Sequence, residues 1–210
     1  MKASVLSLLL SFSCIAVSTA QQLETRKFTS AYNVSVDTPK DWVWDSEAIR
    51  DVKVEFAKMM QVLKADGKIR LLNTGPDPSE GYARIRLSIL SEVQPSQEET
   101  RDVTEDELAL LKEATSKDFA RLPMFKVDME SVAVTQTRID TVYWGYRISY
   151  TRSGIKSPVR VEQYFVPFSN RAVVLTLSYE LANKKKFAPI MLRVLSSLDL
   201  DDESLWPAIK

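Results

Sequence analysis

Apolar and polar positions change period several times along the chain, and each change marks an element. Residues 32–36 (Tyr-Asn-Val-Ser-Val) alternate in a β-rich run that stops at the turn signal Asp37-Thr38-Pro39. Ile49, Val52, Phe56, Met59, Met60 and Leu63 then fall at helical spacing, with Asp45 or Ser46 as cap and Gly67 as terminator. Residues 68–72 read as a strand and residues 73–81 as a loop. Ala83, Ile85, Leu87 and Ile89 form one face of a further strand, with Arg84 and Arg86 on the other. Residues 92–102 are polar and predict an exposed loop. Thr104-Glu105-Asp106-Glu107 is a capping box that opens a helix with Leu108, Leu111, Thr115 and Phe119 as its stripe.

The C-terminal half holds four β-rich runs in succession, at 132–141, 143–151, 158–166 and 172–180. Their short joints predict antiparallel neighbours. A two-residue turn at Ser169-Asn170 would pair Val166 with Val173 and Phe165 with Val174. Apolar side chains then lie on both faces, so covers are expected on both. One cover is the last helix, with Phe187, Ile190, Met191, Val194, Leu195 and Leu198 in a stripe and Pro189 in its first turn. An acidic tail follows from Asp199.

The first twenty residues change the picture. Lys2, an apolar run at 5–17 and Ser18-Thr19-Ala20 have the order of a secretory signal peptide cleaved before Gln21. This predicts export, with the periplasm the expected compartment, and a single α+β domain over 21–200 followed by an acidic tail at 201–210. A lipid anchor on Cys14 is disfavoured by Ser11 three places upstream. Cys14 is the one cysteine and there is no histidine. Disulfide support, Ser–His–Asp or Cys–His catalysis and the usual zinc and copper sites are therefore excluded from the mature chain. Lys and Arg balance Asp and Glu at 28 each, which argues against a nucleic-acid partner. No second apolar stretch suggests an integral membrane segment.

Several residues carry a recognisable pattern. They are Thr38-Pro39-Lys40-Asp41-Trp42, Arg147-Ile148-Ser149-Tyr150, the run Val161-Glu162-Gln163-Tyr164-Phe165-Val166-Pro167, Val173-Val174-Leu175-Thr176-Leu177-Ser178 and Val194-Leu195-Ser196-Ser197-Leu198. Over residues 27–200 the chain resembles the PsbP-like superfamily, which includes DcrB-like and Mog-type proteins. That resemblance implies an antiparallel sheet sandwiched by helices and a non-enzymatic accessory or binding role. It supplies no catalytic motif. DcrB-like proteins are typically lipoproteins, and this chain departs from them at Cys14.

The remaining chemistry is sparse. Ser153, Lys156 and Ser157 sit at a hairpin tip, where nothing would desolvate the lysine. The acidic stretches 98–107 and 199–203 lack the Gly-containing loop of an EF-hand and read as solvated. No Gly-rich phosphate loop is present. Asn33-Val34-Ser35 is a glycosylation sequon only in a eukaryotic secretory pathway. Lys184-Lys185-Lys186 reads as solvated turn lysines or as a contact for anionic headgroups. Trp42, Trp44, Tyr143, Trp144 and Tyr146 suit a partner surface if exposed together, and core edges otherwise. Arg84, Arg86 and Arg147 suit an anion, unless they pair with carboxylates such as Glu162.

The sequence therefore reads as an exported, non-enzymatic protein acting through protein contacts, with no cofactor and no metal. The alternative is a module for a small apolar or anionic molecule, and a carboxylate-based hydrolase is the remote third. Partner identity and oligomeric state are not encoded in any motif.

Overall fold

A computed structural model describes residues 24–30, 33–44, 68–90, 94–122 and 126–200, with the side chains of 44 and 68–70 left aside. The expected leader at 1–20, the helix expected within 45–67 and the tail at 201–210 lie outside the described residues. The strands are β1 (Thr25–Thr29), β2 (Val34–Pro39), β3 (Val43–Trp44), β4 (Lys68–Gly75), β5 (Ala83–Leu90), β6 (Val127–Ile139), β7 (Tyr143–Arg152), β8 (Val159–Phe168), β9 (Arg171–Glu180) and β10 (Asp199–Leu200). The helices are α1 (Gln97–Arg101), α2 (Glu105–Ala120) and α3 (Lys184–Ser196).

Seven strands form one antiparallel sheet in the order β3-β4-β5-β9-β8-β7-β6, and β1-β2-β10 form a small second sheet. The β6–β9 meander follows from its short joints. Val166 pairs with Val173 and Phe165 with Val174 across the Ser169-Asn170 turn, as the alternation required. The longest-range pairing in the large sheet is β5 with β9, which sets Ile85 opposite Leu177 and Leu87 opposite Leu175.

Strand alternation gives this sheet two chemically different faces. On the first, Ala83, Ile85, Leu87, Ile89, Leu175, Leu177 and Val173 are buried beneath Phe187, Met191 and Val194 of α3 and Val34 and Val36 of β2. On the second, α1 and α2 cover the β6–β8 half, where Val132, Tyr150, Val159 and Val161 form a smaller core with Phe119. Helices thus flank both faces of an antiparallel sheet, and the fold class is α+β.

Three local expectations are corrected. The polar stretch before the capping box holds α1, because Ser96 and Glu99 form a capping box of their own. Pro189 lies in the second turn of α3, since the helix begins at Lys184. It is tolerated on the exposed side of that helix. Asp199 and Leu200 are not tail but a short strand, held by pairing with Ser35 and Val34. The Thr104–Glu107 capping box is present as expected, and the α2 stripe is only half-buried.

Candidate functional site

The five aromatics do not gather into one patch. Trp42 is buried, at 3% exposure, with its ring edge-on to Phe187 at 6.1 Å. The side chain of Trp44 lies outside the described residues. Alternation along β7 parts the other three. Tyr143 faces the main core, its ring 5.4 Å from Phe168 and its hydroxyl donating to the Leu200 carbonyl at 3.0 Å. Trp144 and Tyr146 face the opposite way, near α1. The Trp144 amide donates to Gln97 at 2.7 Å, and the Arg138 guanidinium lies over the Trp144 ring at 5.2 Å. Tyr146 is buried beside Phe165.

The three arginines are also divided. Arg147 is on the main-core face, beside the cross-strand pair Arg147–Tyr164 and next to Ser149–Glu162. Its guanidinium donates to Glu162 at 2.6 Å, Arg160 approaches the same carboxylate at 3.4 Å, and the Tyr164 hydroxyl donates to it at 2.9 Å. Burial raises the Glu162 carboxyl, but these partners together carry it below the ordinary carboxylate range. Burial and then the Glu162 charge push the Tyr164 phenol well above an ordinary tyrosine. Glu162 is fully engaged, although its two arginines leave one positive charge over and Nε of Arg147 has no hydrogen-bond partner among the described residues. A carboxylate so held is ionised at neutral pH and has no proton to give as a general acid.

Arg84 and Arg86 are on the second face, beside Tyr82, and the fold adds Arg152 from the end of β7. Arg152 and Tyr82 belong to one row, Arg152–Val159–Glu180–Tyr82, with β8 and β9 between them. Both side chains are long enough to reach across those strands, and the Arg152 guanidinium donates to the Tyr82 hydroxyl at 3.1 Å. The guanidinium carbons of Arg84 and Arg152 lie 5.8 Å and 5.6 Å from the centre of the Tyr82 ring, within cation–π range. Arg86 donates to the Asn73 side chain at 3.3 Å. Ser178 is hydrogen-bonded to the phenol.

Among the described residues none of these three arginines has a carboxylate partner. The nearest acid in the row, Glu180, is buried and occupied by the Tyr82 amide at 3.2 Å and the Asn183 amide at 3.3 Å. Burial favours the neutral phenol of Tyr82, but the positive charges of Arg86 and Arg152, with Ser178 and Arg84, carry its pKa below that of an ordinary tyrosine. Burial lowers Arg84 itself, and the neighbouring Arg86 adds to that, while Tyr82 opposes it. Gly75 keeps room for this arrangement. A Cβ there would lie 2.0 Å from Nη1 of Arg84 and 2.5 Å from the Ala83 carbonyl.

Guanidinium forks match the planar, bidentate geometry of carboxylate and phosphate oxygens. This face therefore offers three cationic forks and the hydroxyl of Thr176 to an anion, the buried Ser178 being engaged with the Tyr82 phenol. Sequence reasoning found Arg84 and Arg86 by alternation. It missed Arg152, Tyr82 and Gly75, whose proximity depends on strand order and not on spacing along the chain. Among the described residues, no group of three or more Asp, Glu, His or Cys side chains is arranged to hold a metal ion. No helix there is long and apolar enough to cross a membrane.

No family model matches the chain, and no curated protein does. Solved structures do resemble it. The solution structure of cyanobacterial PsbP from Synechocystis has a TM-score of 0.48 at 9% identity, covering 87% of this chain and 95% of that one. LpqN, involved in cell envelope biogenesis of Mycobacterium tuberculosis, has a TM-score of 0.43 at 12% identity, covering 83% and 89%. A crystal structure from Bacteroides thetaiotaomicron has a TM-score of 0.47 at 14% identity, covering 85% of this chain but only 49% of its own. One of the three is a PsbP, from the superfamily that the strands and the closing helix resemble. At these identities and TM-scores the similarity says nothing of partner or ligand.

Proposed function

We propose that the chain is an exported, non-enzymatic binding protein whose ligand is a small anion held on the Arg84–Arg86–Arg152 face. One observation carries this reading: three half-buried guanidiniums converge on Tyr82 with no carboxylate among the described residues to balance them. Like charges gathered without compensation cost folding free energy. A bound anion would remove that cost, so occupancy and stability are linked. The aromatics lend a reading through protein contacts little support, because Trp42 and Tyr146 are buried.

The test is thermal unfolding in inorganic phosphate against chloride at matched ionic strength. Phosphate is expected to raise the melting temperature of the wild type and to leave that of Arg84→Ala/Arg86→Ala unmoved. An equal response in both proteins would overturn the reading.

A further inference from the structure

A different part of the molecule suggests where it works. The β7–β8 hairpin ends in a tip at residues 153–157, and the side chain of Ile155 there is fully exposed. The tip is built against the start of α3. The Leu181 amide donates to the Pro158 carbonyl at 2.8 Å, and the Ser153 amide donates to the Lys126 carbonyl at 3.2 Å. Leu181 is also exposed. This one end of the sheet therefore holds Lys126, Lys156, Lys184 and Lys185 around two exposed aliphatic side chains.

These lysines, like Lys112 of α2, have no carboxylate partner among the described residues. Lys27, Lys40, Lys117 and Lys186 each have one. Lys184 and Lys185 also occupy the first turn of α3, where positive charge opposes the helix dipole, and Asn183 gives that helix no side-chain cap. Local stability gives no reason for lysines at this place.

The opposite end has the reverse charge. The Gln94 amide donates to the Ser169 carbonyl at 2.8 Å, which fixes the start of α1 at the β8–β9 turn. From there Glu98, Glu99, Asp102, Glu105, Asp106 and Glu107 follow, with Arg101 as the single cation among residues 97–107. A ten-residue strand, about 33 Å long, separates the two ends. Asp128 and Glu130 at the start of β6, and Glu80 beside Lys186, lie at the hairpin end as well, and none of the four lysines named is paired with them.

We propose that the hairpin end docks on an anionic lipid surface, with Ile155 entering the headgroup–acyl boundary and Lys126, Lys156, Lys184 and Lys185 contacting the headgroups. The acidic end then faces away, which fixes a single orientation. A lone aliphatic side chain gives weak and reversible attachment, so the charges are needed as well. The arginine face is not required for this contact.

The test is co-sedimentation with vesicles of phosphatidylglycerol and phosphatidylcholine in equal parts, compared with phosphatidylcholine alone. The protein is purified in the form in which cells deliver it. Wild type should bind only the anionic vesicles and should release in about 0.5 M salt, where screening is nearly complete. Ile155→Asp and Lys184→Glu/Lys185→Glu should each bind at least about fivefold more weakly. Both change exposed side chains, and unaltered melting curves would establish that they fold. Absent binding, equal binding to the neutral vesicles, or variants that bind like wild type would each overturn the proposal. Arg84→Ala/Arg86→Ala should keep vesicle binding. Loss in that variant alone would place the headgroup on the arginine face, sinking this inference while leaving the anion-binding reading intact.

Discussion

The two faces of the large sheet carry the same kinds of side chain and handle them in opposite ways. On the main-core face, Arg147 and Arg160 share Glu162, and Tyr164 donates to the same carboxylate. On the second face, Arg84, Arg86 and Arg152 surround Tyr82 with no acid to share among the described residues. The tyrosines register the difference. Burial acts upward on both, yet the acid beside Tyr164 drives it further up while the arginines beside Tyr82 bring it down. The arginines do the same in mirror image: Arg147 keeps its proton more firmly than an ordinary arginine despite burial, and Arg84 less firmly because of it. One cluster is built around a shared carboxylate, and among the described residues the other has none.

The largest effect should come from breaking the Glu162 cluster. Glu162→Ala would leave two guanidiniums and a phenol without their shared acceptor, and should cost about 2–3 kcal/mol in denaturant melts. A loss below about 0.5 kcal/mol would mean the cluster is ornamental.

Giving the second face what the first one has sharpens the contrast. Thr176 is the cross-strand partner of Arg86 on that face, within reach for a glutamate. Thr176→Glu should stabilise the protein by about 0.5–1 kcal/mol, measured as the shift in urea midpoint. It should also abolish the phosphate response. Stabilisation without loss of that response would separate the charge argument from the ligand argument.

Much of this contrast was written in the sequence, and part of it could not be. The period-two run Ala83, Ile85, Leu87, Ile89 places Arg84 and Arg86 together on the far side without any knowledge of neighbours. The Ser169-Asn170 turn fixes the β8–β9 register, and the Thr104–Glu107 box fixes the start of α2, because both are local. Arg147 was grouped with Arg84 and Arg86 because residue type is legible and face is not. Tyr143 and Trp144 were grouped although adjacent strand residues point to opposite faces. Arg152 reaches Tyr82 only because β9 and β8 lie between their strands, and a pairing as remote as β5 with β9 leaves no mark in spacing.

Smaller effects test the Tyr82 cluster. Arg86→Ala should change stability by less than about 0.5 kcal/mol, since it removes repulsion along with one hydrogen bond to Asn73. A loss above that in calorimetry or urea melts would make Arg86 a structural residue.

The finest probe is titration of the phenols in alkaline solution. An unfolded tyrosine ionises near about 10. Tyr82 ionises lower in the folded protein, so below that pH the unfolded chain binds more protons and this group makes stability rise with pH. Tyr164 ionises higher, so above that pH the folded protein holds the extra proton and this group makes stability fall. Tyr82→Phe should remove the rising contribution and Tyr164→Phe the falling one, in urea melts taken across the alkaline range. The same slope in both variants would erase the distinction between the faces.

The pairing of β5 with β9 also sets an order of events. Strands β6 to β9 follow one another through short joints, whereas Ile85 meets Leu177 from about ninety residues away along the chain. Local hairpins close quickly, and the distant strand must wait for a long loop to close. Arg152 is therefore in place on the meander before Tyr82, Arg84 and Arg86 arrive. On this order the proposed anion face would form in the step that completes the sheet, and a nascent or partly folded chain would lack it. Pulsed hydrogen exchange during refolding should find β6–β9 amides protected ahead of those in β4 and β5.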